Sequence, residues 1–239
     1  MARIVALVLF AVPVTFLAAL QADDPVKGDD PKEALQSLQE LIGGWKGSGT
    51  SERDKSSIWP EKAGWSWRFK DKDVWMSLDV EKSKVFKSAE MRFLSDKGKF
   101  QFTTIDPNGK KIVYLGEMKK GKLTLEGQNP ETKDIEQIKM ETAAGGIRLV
   151  MTFATKPADR TLFSKTMQIS YTKEGEALAG ATAKKGPECV VTGGLGTMAV
   201  SFMGQTYYVC CSGCRDAFNE NPAKILKEYA ARKKAEKGK

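Results

Sequence analysis

The stretch Lys99-Phe100-Gln101-Phe102-Thr103, with Asp106-Pro107-Asn108-Gly109 just beyond it, decides the fold. Aromatic and polar residues alternate one by one, which is the period of a strand with one buried face. The turn that follows carries Pro and Asn-Gly, residues that supply the preset and positive φ angles of a tight hairpin. The same arrangement recurs on both sides. Alternation is clear in Leu123-Thr124-Leu125 and in Met167-Gln168-Ile169-Ser170-Tyr171. Strands are expected near 45–53, 63–70, 73–80, 84–94, 99–105, 110–118, 122–127, 134–142, 146–154 and 162–171. Turn signals separate them: Asp71-Lys72, Asp96-Lys97-Gly98, Lys120-Gly121, Asn129-Pro130, Gly145-Gly146 and Lys156-Pro157. About ten short strands joined by tight turns predict a mainly β antiparallel meander, whose edges are best protected by closure into a barrel.

Ahead of the strands, Glu33 to Ile42 places Leu35, Leu38, Leu41 and Ile42 three and four apart, the spacing of one helix face, and Gly43-Gly44 stops it. Residues 23–34 are polar, contain Pro25 and Pro31, and read as a linker. The first 22 residues have the form of an export signal: Arg3, an apolar run from Ile4 to Leu20, and Gln21-Ala22 before Asp23-Asp24. An uncleaved anchor is the alternative, although the run is short for a span and Pro13 interrupts it. The expectation is an exported protein, periplasmic or secreted, with no stable transmembrane anchor after cleavage.

The 239 residues include no histidine. That removes Ser-His-Asp and Cys-His catalysis, the HExxH zinc helix and His-ligated haem. No GxSxG elbow, P-loop or GxGxxG after a strand is present either. A non-catalytic protein is expected. The formal charge is +8, and much of the excess lies in the tail 232–239, read as a solvated helix end. No nucleic-acid role is expected.

The segment Gly43-Gly44-Trp45-Lys46-Gly47-Ser48-Gly49-Thr50 follows the short helix and opens the first strand. It resembles the Gly-x-Trp opening of the lipocalin-like (calycin) barrels, and the resemblance covers about 35–178. It implies a central cavity for a small hydrophobic ligand. Haem-binding barrels of the nitrobindin type open similarly but hold iron through a histidine, so that activity is not carried over. All five tryptophans lie between Trp45 and Trp75. Trp65 and Trp67 share one sheet face and are either a ligand-binding pocket or barrel core.

Beyond a linker at 179–186, all four cysteines fall in residues 187–231. Cys189 sits in a loop. The runs Thr197–Phe202 and Thr206–Cys210 form a hairpin about Gly204, and Ser212-Gly213-Cys214 starts a helix. Asn221-Pro222 opens a second helix with an N-cap and a first-turn proline. A loop Cys, a strand-end Cys and a Cys in a first helical turn can converge on one point, where the helix N-terminus favours a thiolate. Thiolates at that point suit Zn²⁺ or Cu⁺. If Cys210 and Cys211 are both extended, they point to opposite faces, which leaves Cys211 as a fourth ligand, a disulfide partner or a free thiol.

The stretch resembles the YHS/TRASH family of small metal-binding domains. The matching residues are Cys189-Val190-Val191-Thr192-Gly193, Gly204-Gln205-Thr206-Tyr207-Tyr208-Val209-Cys210, Ser212-Gly213-Cys214, Phe218, Asn221-Pro222 and Tyr229. The resemblance implies a treble-clef-like module in which Cys189, Cys210 and Cys214 hold a metal. Outside the cytoplasm the competing expectations are structural disulfides and thiol redox chemistry. Met198 and Met203 are candidate thioether ligands or core packing, and Glu188 and Asp216 are candidate oxygen ligands or exposed charges. The whole reads as an exported, non-catalytic Zn or Cu(I) protein. The alternative is a hydrophobic-ligand carrier with a disulfide-stabilised C-terminal module.

Overall fold

A computed structural model describes residues 30–175 and 186–237. The export segment 1–22, most of the linker 23–34, residues 176–185 and the last two residues of the tail lie outside the described residues.

Ten strands close into an antiparallel barrel in which every strand pairs with its sequence neighbours and β1 pairs with β10. They are β1 (Gly43–Ser51), β2 (Ile58–Lys70), β3 (Asp73–Glu81), β4 (Ser88–Leu94) and β5 (Lys99–Ile105). β6 (Lys111–Lys119), β7 (Lys122–Gln128), β8 (Ile135–Ala143), β9 (Arg148–Lys156) and β10 (Ser164–Lys173) complete it. Closure leaves no free sheet edge, as the meander pattern predicts. A two-stranded hairpin, β11 (Met198–Phe202) and β12 (Gln205–Val209), follows, with α2 (Ser212–Glu220) and α3 (Pro222–Lys237).

The interior is filled by the alternating positions. Trp45, Trp65, Trp67, Phe100, Phe102, Met76, Leu78, Met91 and Leu125 are almost wholly enclosed. Each aromatic so buried contributes on the order of 2–3 kcal/mol. Trp65 and Trp67 are therefore core: Trp65 stacks on Phe102 at 6.0 Å between centroids, and the Trp67 indole N–H donates to Gln39 Oε1 at 3.0 Å.

Three boundaries differ from the sequence pattern, each for a packing reason. β2 begins at Ile58, because the alternation runs on through Trp59 and Glu61 with Pro60 on the outer face. The Trp59 ring lies where Gly49 of β1 leaves room for it; a Cβ there would overlap the ring. β4 begins at Ser88, because Phe86 turns inward and plugs the barrel against Phe102 and Phe153. The expected helix over 33–42 is shorter and earlier. α1 spans Pro31–Gln36 with Asp30 as its N-cap, and a 3-10 turn covers Gln39–Leu41. The tightened turn gives its Leu41 carbonyl to the Trp45 indole N–H at 2.7 Å. Ala34, Leu35, Leu38 and Leu41 are buried by this arrangement, and α1 packs against β3 and β4.

One carboxyl group among the described residues lies deep in this apolar interior. Glu61, 3% exposed, accepts the Trp59 indole N–H at 2.9 Å on one oxygen and the Tyr171 hydroxyl on the other. Burial, then the adjacent carboxylate, pushes the Tyr171 phenol far above its usual range, so it remains a donor. Glu61→Ala orphans two buried donors at about 1–3 kcal/mol each. Urea unfolding is expected to show a loss of about 2–5 kcal/mol. An unchanged midpoint contradicts this account of the core.

Candidate metal centre

Three sulfurs converge, each from a different local device. Cys189 sits on a knuckle closed by its own backbone: Cys189 N donates to Gly194 O at 2.6 Å and Gly193 N donates to Cys189 O at 2.8 Å. Gly193 takes φ +81°, the left-handed region that lets the chain turn back. Val190 N donates to Tyr208 O at 3.0 Å, tying the knuckle to β12. Cys210 follows β12 directly. The hairpin behind it turns on Met203-Gly204, both at positive φ, as a two-residue hairpin loop requires. Cys214 is the third residue of α2, in the turn where free amides favour a thiolate.

The Cys189, Cys210 and Cys214 sulfurs lie within 4.8 Å of one another, and all three residues are buried. Cys210 Sγ and Cys214 Sγ are 3.5 Å apart. A disulfide needs about 2.05 Å. Thiolates on a tetrahedral ion with bonds of about 2.3 Å stand about 3.8 Å apart, so this spacing fits a shared ion. The Thr192 hydroxyl lies 3.4 Å from Cys189 Sγ, 3.5 Å from Cys210 Sγ and 4.0 Å from Cys214 Sγ. It is thus the common hydrogen-bond partner of all three. All four cysteines are free thiols.

The thiols do not ionise alike. Hydrogen bonds from Cys210 and Cys214 hold the Cys189 thiol well below its usual range. The Cys210 thiol is raised, first by its hydrogen bond to Cys189. Burial is the first cause that pushes Cys214 up, and its thiol neighbours add to it. Crowded together in this way, the three sulfurs form a donor set that could hold a metal ion.

Cys211 lies beside this group rather than within it. It is the N-cap residue of α2, extended at φ −159°, and is absent from the three-sulfur group. Hydrogen bonds from the Cys210 and Cys214 thiols, together with the backbone amides of Cys214 and Trp67, hold its thiol below the usual range. Trp67 belongs to β2, so this thiol sits at the junction with the barrel. Met203 is 87% exposed at the hairpin tip, and Met198 packs against the core. Asp216 is exposed and bonds Arg215. Glu188 is taken by Arg232 at 3.1 Å and Lys233 at 2.7 Å. None of these four joins the three sulfurs.

Two supports were not singled out as such by the sequence. Arg232 of α3 reaches back across the module and donates to the Cys189 carbonyl at 3.3 Å and the Val190 carbonyl at 3.4 Å. It thereby clamps the knuckle. Gly213 presses against the Trp67 backbone of β2, where a Cβ would overlap the carbonyl. Neither contact leaves a local signal, since its partner is far away in sequence.

Three clefts surround these elements. One of about 440 Å³ lies between barrel and module, and Cys210 is among its lining residues. A second, of about 270 Å³, opens by Phe86, Tyr114, Glu136 and Phe153. There the Tyr114 hydroxyl and Asn129 amide both donate to Glu136 at 2.6 Å. The third lies between Leu38, Leu41 and Met140. Trp65 and Trp67 line none of the three.

No protein-family model and no curated protein matches the chain. Among solved structures it is similar to one described as "Crystal Structure of Rv2717c from M. tuberculosis", at 12% identity and a TM-score of 0.37, over 59% of this chain and 96% of that one.

Gly213→Ala is expected to lift α2 off β2 at an overpacking cost of about 1–3 kcal/mol. Thiol labelling of Cys211 and Cys214 should quicken and the thermal midpoint should fall. Gly64→Ala, whose Cβ meets nothing within 4 Å, is the control. Equal behaviour of the two variants contradicts the docking contact.

Proposed function

We propose that this chain is an exported, non-catalytic metal-binding protein in which Cys189, Cys210 and Cys214 take up one Zn²⁺ or Cu⁺. The observation that carries the reading is the buried convergence of three sulfurs at ligand spacing around the Thr192 hydroxyl. The YHS/TRASH resemblance of residues 187–231 points the same way, and the apolar run at the start of the sequence supports export. No helix among the described residues is long and apolar enough to cross a membrane.

The donor set fits the group. Three thiolates suit Cu⁺, and Zn²⁺ takes a fourth ligand, which the neighbouring Cys211 or a water supplies. A bound cation would offset part of the thiolates' charge and cross-link knuckle, strand end and helix. The chain's own residues do the rest. Thr192 donates a hydrogen bond to Cys189 Sγ and accepts one from the Cys214 thiol, Arg232 fixes the knuckle, and the hairpin and α2 hold Cys210 and Cys214 at 3.5 Å. The module has a small core of its own, so binding free energy adds to its folding. The barrel is its scaffold. The alternative role, a carrier of a small hydrophobic ligand, rests on the cleft beside Phe86 and Phe153.

Reduced protein loaded anaerobically is expected to retain about one ion per chain, with thiol protons released as the ion binds. Because Cys210 and Cys214 are held protonated, affinity should fall as pH falls. Cys189→Ser should abolish retention, and Arg232→Met should weaken it about tenfold or more, the usual effect of losing an outer-shell partner. Two disulfides and no metal under any loading condition contradict the proposal.

A further inference from the structure

We infer that the 440 Å³ cleft between barrel and module is the loading port of the sulfur centre, admitting a hydrated cation to Cys210 first. This rests on the metal-binding reading above. Cys189 and Cys214 are fully enclosed at 0% exposure, and Thr192 covers the centre from within the knuckle at 2%. Cys210, at 8%, is the member of the three that lines a described cleft. A cation reaching the sulfurs without unfolding the module therefore meets Cys210 before the other two.

The cleft has the size and chemistry for this role. Six waters at about 30 Å³ each occupy about 180 Å³, so an ion enters with its hydration shell intact. Gly43, Gly44, Gly145 and Gly146 form much of its wall and keep it wide. Glu40, Glu174 and Lys173 line it, so two carboxylates face one ammonium and the lining carries a net negative charge. Leu195, 40% exposed, stands in the wall contributed by the module.

The steps balance as ligand exchange. One water leaves the ion as the Cys210 sulfur binds, and the Cys210 proton passes to solvent through the cleft. Cys214 Sγ, 3.5 Å on, would displace the next water and release its own proton to solvent, and Cys189 would follow. No oxidant or reductant takes part.

The test is stopped-flow uptake of Zn²⁺ alone by the reduced chain, read against a chromophoric chelator. Leu195→Trp fills the cleft and is expected to slow association and dissociation alike by about tenfold or more, leaving Kd unchanged, as an obstructed path does. Glu40→Gln combined with Glu174→Gln should lower association about two- to fivefold and flatten its dependence on ionic strength. Leu162→Trp, at a loop position 79% exposed and outside the cleft, should leave both rates unaltered. An unchanged Kd also reports that the Leu195→Trp module has folded. Wild-type rates in both cleft variants overturn the port alone. No uptake by the wild-type chain overturns the sulfur centre and the port with it.

Discussion

The contact between Gly213 and the Trp67 backbone is the constraint on which the C-terminal half depends. β1 begins at Gly43, opposite Trp65, so β2 runs on past its neighbour and offers bare backbone at Trp67. The first turn of α2 lies on that backbone, and only a residue without a Cβ allows the approach. Gly213 stands between Cys211 and Cys214. Seating it fixes both: Cys211 turns toward the Trp67 amide and Cys214 turns inward to its partner sulfurs. Gln36 and Gln39 brace the same junction from the N-terminal segment. The Gln36 amide donates to Thr192 O at 2.7 Å, and Gln39 accepts from the Trp67 indole. The barrel is thus a platform that sets the geometry of a module too small to set it alone.

Within the module the energetic problem is charge. Three buried thiols at ligand spacing cannot all ionise in an enclosed site without a counter-charge. The protein supplies partial answers: the Thr192 hydroxyl, the free amides at the start of α2, and Arg232 on the carbonyls of the knuckle. Each offers the sulfurs a polar partner, and the proposed cation would supply the remaining counter-charge. The barrel solves a similar problem differently. Its buried Glu61 is satisfied by two donors from its own core and so belongs to folding.

Much of this architecture was legible in the sequence because its signals are local. Alternation in Lys99–Thr103 and punctuation such as Lys120-Gly121 mark strands and turns wherever they occur. Ten strands and their order follow from these alone. Local signals mislead where a distant side chain intervenes. Phe86 reads as strand but plugs the barrel, and β2 starts at Ile58, five residues before the expected Ala63, with Pro60 on its outer face. The tryptophan cluster was ambiguous for the same reason; only the surrounding rings make Trp65 and Trp67 core. The cysteine spacing predicted the convergence of Cys189, Cys210 and Cys214, whereas strand alternation left the role of Cys211 open, and its thiol lies beside those of Cys210 and Cys214. Gly213 and Arg232 stayed hidden as supports, since their partners lie about 146 and 43 positions away.

The central claim is that Cys189, Cys210 and Cys214 bind one ion together, and the most direct measurement is X-ray absorption at the edge of the loaded metal. The account predicts a first shell dominated by three or more sulfur scatterers, at about 2.3 Å for zinc. A shell of oxygen and nitrogen alone, or a single sulfur, contradicts it.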